Sequence, residues 1–431
     1  MEAVANLAPW RRFDGYVVLT VLALGVMLRL IYFQDMPYRA DERWTFEKTQ
    51  AVGKEESFPW KGMRTSAGVH HPGGSIWVFL GLAWTTGAAT PDQLGLACQV
   101  LNSLALVLLA VFILRCVPGE QREAWLWALA LASFNPIHVM LHRKIWPPSI
   151  TPFFVMLFVL AWWYRRRTLG AFFWGVMGLL LGQIHPAGFF LAAGFFLWAL
   201  LFERSSILWR WWLPGSVLAS LPMIPWVLYL AGEMQSGPVG ARSVGQLVLP
   251  KFFVRWLTEP LGFTGRPNIG ADLYDMLRYP LVLGQPTFLV ALAHLVMTGA
   301  GVLLLARGAW WLWRERRRWS DMLRGRESST AFLTVSALWG FGLVFTCTLL
   351  PIHHHYMVLA FPFMFLWLAR LALASNHLGG PRWLDGRVLL LALCVTHFVL
   401  SLNYLGYIHV NAATLQGGGY GTPYAAQAPT P

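Results

Sequence analysis

Long apolar runs, separated by short basic clusters, constrain this chain more than any other feature of its sequence. A run of about 18 or more uncharged apolar residues is typical of a membrane-spanning helix. About eleven runs or near-runs of this kind are present. They cover residues 14–33, 94–115, 124–141, 149–163, 169–184, 187–202, 208–231, 284–306, 329–350, 356–375 and 388–408. We therefore predict an all-α polytopic membrane protein, with 1–431 as a single transmembrane domain.

The charge content supports this class. Only 12% of the residues are charged, whereas soluble domains carry roughly 25%. A net charge of +13 would favour nucleic-acid binding in a soluble protein. Here the basic residues stand in short clusters between apolar runs, so we expect the bilayer, and no nucleic acid, as a partner. The four cysteines show neither metal-ligand spacing nor a disulfide framework.

The basic clusters orient the helices, because Lys and Arg are enriched in cytoplasmic loops. The clusters fall together on one side only if the short apolar segment 75–89 lies on the outer surface without spanning. That segment would cover about 22 Å, less than the roughly 30 Å hydrocarbon core. We therefore predict a cytoplasmic N-terminus and a basic cytoplasmic loop at 307–328. Abundant Trp and Arg are compatible with a bacterium, whose inner membrane is then the expected location.

The predicted outer face collects the residues that could do chemistry. It receives the first long loop, 34–93, with surface helices, the second long loop, 232–283, and the tail, 409–431. The orientation rests on Lys and Arg alone, yet the acidic pair and the histidines gather on this side. The candidate site residues are Asp41, Glu42, His70, His71, His142, Arg143, Lys144, His185, His353, His354, His355, Tyr356 and Tyr420.

Each of the charged candidates has a functional and a purely structural interpretation. Asp41 and Glu42 can provide a general base with an orienting neighbour, or they form a solvated acidic turn. Arg143 and Lys144 can grip a lipid phosphate, or they face lipid headgroups.

The histidine candidates carry weaker signals. Three consecutive histidines, 353–355, cannot all point one way on a helix, and their spacing is not a recognised metal-ligand pattern. The pair His70–His71 is typical of a turn that leads into segment 75–89. His185–Pro186 is typical of a helix break. No metal ligand is assigned from these patterns.

Taken together, these features resemble the GT-C superfamily of membrane glycosyltransferases, with the protein O-mannosyltransferases and aminoarabinose transferases nearest in pattern. Two departures are Gly73, in place of the second proline of an HPP-like turn, and His355, in place of the usual arginine of a late basic–Tyr motif. The matching residues are Asp41–Glu42 in ADERWTF, His71–Pro72–Gly73 in HHPGGSIWVF, Arg143 after the third span, His355–Tyr356 before a proline-containing apolar run, and the Gly/Tyr-rich end GGGYGTPYAAQ at 417–427.

The resemblance implies an inverting transfer of a sugar from a polyprenyl-monophosphate donor to an acceptor hydroxyl on the extracytoplasmic face of the cell envelope. The acceptor would be a lipid, a glycan or a protein. Asp41 would be the base, with Glu42 orienting the site. The donor phosphate would be bound by Arg143, Lys144, His355 and Tyr356. No cofactor is firmly implied, and a divalent metal stays an open alternative.

Three other classes stay open from the sequence. A lipid-linked glycan ligase or polymerase would use a diphosphate donor, and the early Asp–Glu pair argues against it. A lipid or sugar transporter would need ionisable residues within the spans, where His294 is one of few. A purely structural membrane subunit would not explain why acidic residues and histidines gather on one face.

Overall fold

The structure, a computed structural model, describes residues 12–64, 68–235, 251–263, 272–348, 352–415 and 420–427. Parts of the predicted second loop (236–250 and 264–271) and of the tail (416–419 and 428–431) lie outside the described residues.

Helices make up most of the described chain. They are α1 (Arg12–Leu30), α2 (Ala40–Ala51), α3 (Gly74–Thr86), α4 (Pro91–Cys116), α5 (Gly119–Phe134), α6 (Pro136–Leu141), α7 (Thr151–Trp163), α8 (Thr168–Ile184), α9 (Ala187–Phe202), α10 (Trp209–Ser220), α11 (Ile224–Gln235), α12 (Lys251–Thr258), α13 (Leu273–Arg278), α14 (Leu289–Arg314), α15 (Trp319–Arg324), α16 (Ser329–Val335), α17 (Gly342–Cys347), α18 (Phe363–Ala374) and α19 (Gly386–Val410).

Strands form only two small antiparallel hairpins within the described ranges. One pairs β1 (Lys61–Arg64) with β2 (His70–Pro72), and the other pairs β3 (Leu281–Val282) with β4 (Gln285–Pro286).

Within the described ranges, five helices are long and apolar enough to cross a membrane, and a bent pair at 354–378 makes a sixth if it counts as one span. The five are α4, α10 continued through α11, α14, α16 continued through α17, and α19. The chain is therefore an all-α integral membrane protein, as predicted. Helices lie in every predicted span, but several, such as α7, α8 and α9, are shorter apolar helices. The count of eleven spans stays a prediction.

Local sequence explains where a predicted span is broken. The span predicted at 124–141 is two helices, because Pro136 restricts Asn135 to a non-helical backbone. The Asn135 side chain then accepts hydrogen bonds from the backbone N–H groups of Ile137 and His138 and caps α6.

The span predicted at 284–306 is shifted. In the structure β4 occupies Gln285–Pro286, and α14 runs from Leu289 to Arg314. The helix continues past the apolar run because Ala, Leu and Arg are good helix formers. Part of the predicted cytoplasmic loop at 307–328 is therefore helical.

The predicted first loop, 34–93, contains α2, the β1–β2 hairpin and α3. The short apolar segment at 75–89 is indeed helical as α3, which packs against α2, α4 and α8. Gly73 precedes it in a crowded position, where a Cβ atom would lie 2.7 Å from the Pro59 carbonyl oxygen. That crowding accounts for glycine at this position. The placement of α3 on the membrane surface stays a prediction.

Candidate functional site

The acidic pair forms the first turn of α2, where the helix dipole favours negative charge. The Glu42 side chain turns back and accepts a hydrogen bond from the Arg39 backbone N–H at 3.1 Å. Glu42 is only 2% exposed, whereas Asp41 is exposed. The two carboxylates therefore have different tasks: Glu42 caps the helix from within the protein, and Asp41 faces outward.

The surroundings of the Asp41 carboxyl change its acidity. The Trp146 indole and the Lys144 ammonium group both lie close to it. Partial burial, followed by the charge of Glu42, raises the pKa of Asp41, while Lys144 and the Trp146 side chain oppose that rise. A carboxylate with a raised pKa accepts a proton more readily than an ordinary one.

Lys144 supplies a shielded positive charge next to both acids. Its Nζ lies 3.4 Å from Glu42 Oε1, and its side chain is 13% exposed. The same Nζ lies 5.2 Å from the centroid of the Trp146 ring. Low exposure strengthens the field of this ammonium group, because less water screens it.

Trp146 joins the acidic pair to a chain of contacts that includes histidines of three other segments. Its ring centroid lies 4.4 Å from that of His355, and His355 lies 4.4 Å from the Tyr356 ring. His185 lies 5.1 Å from Tyr356, and His71 lies 5.6 Å from His185. Predicted residues from five separate parts of the chain are thus brought into one contiguous cluster.

The remaining two histidines of the triplet flank His355. The His353 ring stacks on it with centroids 5.4 Å apart, and the His354 ring meets it edge-on at 5.6 Å. A 3-10 helix at His354–Ala360 sets these different directions. Among the residues that the structure describes, no group of three or more His, Cys, Asp or Glu side chains is arranged to hold a metal ion.

His71 is a neutral member of the cluster. Burial, together with the nearby His70, lowers the pKa of His71 to about 4, so it carries no charge at neutral pH. It can exchange hydrogen bonds with a ligand, but it cannot neutralise a phosphate. His70 has a structural role: its Nδ1 lies 2.8 Å from the Gly62 carbonyl oxygen, and its own carbonyl accepts a hydrogen bond from Trp226 Nε1.

Arg143 is engaged elsewhere, at the end of α1. It is fully buried, and its Nη1 donates to the carbonyl oxygens of Arg29 at 3.0 Å and Ile31 at 2.6 Å. Its Nη2 donates to the Tyr32 carbonyl oxygen. Arg143 thereby caps the last turn of α1. The sequence did not predict this task, and the phosphate contact of Arg143 stays a prediction.

His142 belongs to the same buried network. Its Nδ1 accepts a hydrogen bond from Arg29 Nε at 3.2 Å, and its ring lies 5.2 Å from that of His138. Arg29 also donates to the carbonyl oxygens of Ala132 and Ser133, at the end of α5. Arg29 of α1 thus bonds to His142, and Arg143 bonds to the end of α1. Together these hydrogen bonds fix α1 against the segment that carries Lys144.

The tail returns to the segment that leads into α2. We call residues 420–427 the tail strap. The Tyr38 backbone N–H donates to the Thr422 carbonyl at 3.2 Å, and the Tyr424 N–H donates to the Met36 carbonyl at 2.9 Å. Asp41 follows this paired segment directly, so the tail strap helps to fix its position.

Tyr420 anchors the tail strap from within. Its buried hydroxyl donates to the Asp35 carbonyl oxygen and lies close to Arg143. The Asp35 carboxylate pairs with His409 Nδ1 at 2.7 Å. Tyr420 therefore fixes the tail strap to the segment before α2, and its predicted place in the site stays a proposal.

Two residues of the cluster were missed by the sequence reasoning. Trp146 follows the predicted His–Arg–Lys cluster directly, but with 24 tryptophans in the chain it gave no distinct signal. Arg255 lies on α12, and its Nε donates to the Ile352 carbonyl oxygen at 3.2 Å, directly before the histidine triplet. A positive charge in a predicted outer loop runs against the orientation rule, and this signal could have identified it.

Comparison with known proteins adds little to this geometry. No protein family matches the sequence, and no curated protein matches it. Among solved structures, the chain is similar to the apo form of the oligosaccharyltransferase of Archaeoglobus fulgidus, with a TM-score of 0.46 and 13% identity over 98% of this chain. The chain spans 61% of the length of that protein.

Proposed function

We propose that the chain is an inverting membrane glycosyltransferase of the GT-C type. It transfers a sugar from a polyprenyl-monophosphate donor to a hydroxyl group of a lipid, glycan or protein acceptor. The observation that carries the proposal is the contact of Trp146 with both Asp41 and His355. This contact joins a candidate base to the segment that the sequence resemblance pairs with the donor phosphate.

The reaction needs one base, and Asp41 is proposed to fill that role. As the acceptor oxygen attacks the anomeric carbon, the Asp41 carboxylate takes the hydroxyl proton. The bond between the anomeric carbon and the phosphate oxygen breaks on the opposite side of the ring. A single displacement of this kind inverts the anomeric configuration, and no second carboxylate is required to attack the sugar.

The leaving group needs positive charge, because the bonding electrons stay on the phosphate. Lys144 is the proposed cation, since it is shielded from water beside Glu42 and its charge acts on the proposed base, Asp41. Preorganised charge of this kind stabilises a developing anion strongly in a site with little water. His355 and Tyr356 would complete the contacts as hydrogen-bond donors, and Glu42 would hold Lys144 in place.

The placement of this site is part of the proposal. With the N-terminus in the cytoplasm, α1 delivers the acidic pair to the extracytoplasmic side. Lipid-linked sugars are available there and nucleotide sugars are not. We propose the bacterial inner membrane as the location, with the site facing outward.

A donor panel tests the function directly. Purified protein in lipid would be incubated with different polyprenyl-monophosphate sugars and a mixed membrane fraction as acceptor. We expect loss of one donor and release of polyprenyl phosphate. A parallel panel of polyprenyl-diphosphate sugars identifies a ligase or polymerase if only those are consumed. Folded protein that consumes no donor in either panel would contradict the proposal.

The pH dependence of transfer should report the Asp41 carboxyl. The rate is expected to rise with pH through the pKa of Asp41, because only the ionised carboxylate can accept a proton. The rise should lie above the ordinary Asp value of about 3.9, since burial raises this pKa. Trp146→Phe removes the indole N–H, which favours the ionised form of Asp41, so the rising limb should move to higher pH.

The matched control is Trp44→Phe, because Trp44 packs instead against the small apolar cluster around Val52. Rate profiles of the two variants and the wild type between acidic and neutral pH provide the measurement. A profile of Trp146→Phe that coincides with that of the wild type would show that the indole does not act on the base.

A further inference from the structure

Arg255 brings a second cation to the histidine triplet from a different part of the chain. It lies on α12, which packs against the 3-10 helix at His354–Ala360. Its Nη1 lies 3.1 Å from Glu259 Oε1, and its Nε donates to the Ile352 carbonyl. Two nitrogens of the guanidinium are thus used to fix the group in one orientation.

The third nitrogen of Arg255, Nη2, takes part in neither of these contacts. Among the described residues, Nη2 has no hydrogen-bond partner. Glu259 is 1% exposed, whereas Arg255 is 27% exposed. The guanidinium is therefore held from the protein side by a buried carboxylate and keeps one edge accessible. This is the arrangement expected of a group that is preorganised for a ligand.

Lys144 and Arg255 both act on the same ring. The positive charges of both side chains act electrostatically on His354, although Lys144 follows α6 and Arg255 lies on α12. Each is paired with a buried carboxylate, Glu42 for Lys144 and Glu259 for Arg255. Two fixed cations therefore stand beside one stretch of histidines. Arginine presents donors in a planar fork that fits two oxygens of a phosphate.

We propose that Arg255 is a second phosphate-binding residue of the donor site, which binds the phosphate of the polyprenyl-linked donor together with Lys144. The inference rests on the proposed function and adds a specific contact to it. When the anomeric carbon–oxygen bond breaks, the electron pair stays on the phosphate, which gains one negative charge. Arg255 stabilises that charge from the side of α12.

Binding of decaprenyl phosphate to the full-length protein in lipid nanodiscs tests this contact. The variants are Arg255→Gln and, as a control, Arg278→Gln, which removes an exposed arginine of the same predicted loop. A charged hydrogen bond contributes about 1.5–3 kcal/mol. We therefore expect Arg255→Gln to raise the Kd by about 10- to 100-fold, Arg255→Lys to restore part of the affinity, and Arg278→Gln to bind as the wild type does.

Two further ligands separate a phosphate contact from a structural effect. Decaprenol, which lacks the phosphate, should bind the wild type and Arg255→Gln equally. An equal loss of affinity for both lipids, or no loss for decaprenyl phosphate, would overturn the inference. If inorganic phosphate binds as tightly as decaprenyl phosphate, the inference would also be overturned, since the site would then be one for free phosphate.

The same experiment distinguishes failure of this contact from failure of the proposed function. Wild-type protein that binds decaprenyl phosphate and consumes donor, with Arg255→Gln binding equally well, would reject the Arg255 contact alone. Wild-type protein that neither binds the lipid nor consumes any donor would reject both.

Discussion

Asp41→Asn is expected to lower the rate of sugar transfer by about 10²- to 10⁴-fold, the usual contribution of a general base. Asparagine has nearly the same shape and can keep the contact with Trp146, but it cannot take up the acceptor proton. The loss should therefore appear in kcat, with little change in the affinity for the donor. Initial rates of donor consumption over a range of donor concentrations give both quantities.

The variant is also expected to fold. Because the folded-state pKa of Asp41 is raised, its contribution to stability is complete below the unfolded-state pKa and is lost as the pH rises through the folded-state pKa. At neutral pH the ionised carboxylate therefore adds no stability, and asparagine removes none of it. Thermal unfolding of the variant should match or exceed that of the wild type.

The matched control is Glu47→Gln, because Glu47 is an exposed carboxylate on the same helix. It should transfer sugar at the wild-type rate, which would show that loss of charge on α2 is not sufficient to stop the reaction. Asp41→Asn that retains full activity would contradict the assignment of the base. Asp41→Asn that fails to fold would contradict the stability argument.

The sequence could predict which residues are chemically capable, but not how they meet. Asp41 and His355 were identified from local patterns, and the structure brings both into contact with Trp146. That contact joins residues that are far apart in sequence and depends on how α2 and the segments after α6 and α17 pack. Helical periodicity and charge patterns carry no information about such packing.

Helix limits were predictable only where a local signal marks them. The break at Asn135–Pro136 has such a signal, because a capping side chain and a proline act within a few residues. The hydropathy pattern nevertheless predicted one continuous span across Asn135–Pro136. The extension of α14 to Arg314 has no hydropathy signal. The helix includes charged residues there, and such residues can continue a helix into the headgroup layer.

Arg143 shows how two adjacent cations can differ in task. From sequence, Arg143 and Lys144 are equivalent candidates for a phosphate. In the structure the Arg143 guanidinium lies on carbonyl oxygens at the end of α1, while the Lys144 ammonium lies beside Glu42. A difference of one residue at a helix end turns the two side chains in different directions, which the sequence pattern cannot show.

We therefore expect Arg143→Gln and Lys144→Gln to fail in different ways. Each hydrogen bond from a charged group contributes about 1.5–3 kcal/mol, and Arg143 donates several to α1. Arg143→Gln should lose several kcal/mol of stability, which thermal unfolding in detergent and the yield of folded protein would measure. Lys144→Gln should fold, because Glu42 keeps its bond to the Arg39 N–H, but it should lose about 10²- to 10³-fold in kcat, as for other groups that stabilise a developing anion.

The pair of variants decides between the two assignments of the phosphate site. If Arg143→Gln folds as the wild type does and loses both transfer and affinity for decaprenyl phosphate, the arginine binds the donor as the sequence pattern predicts, and its contacts with α1 are secondary. If Lys144→Gln alone loses transfer while Arg143→Gln unfolds at a lower temperature, the cation beside the base is the one that acts on the leaving group. The hydrogen bonds between Arg143 and α1 then hold Lys144 within reach of Asp41.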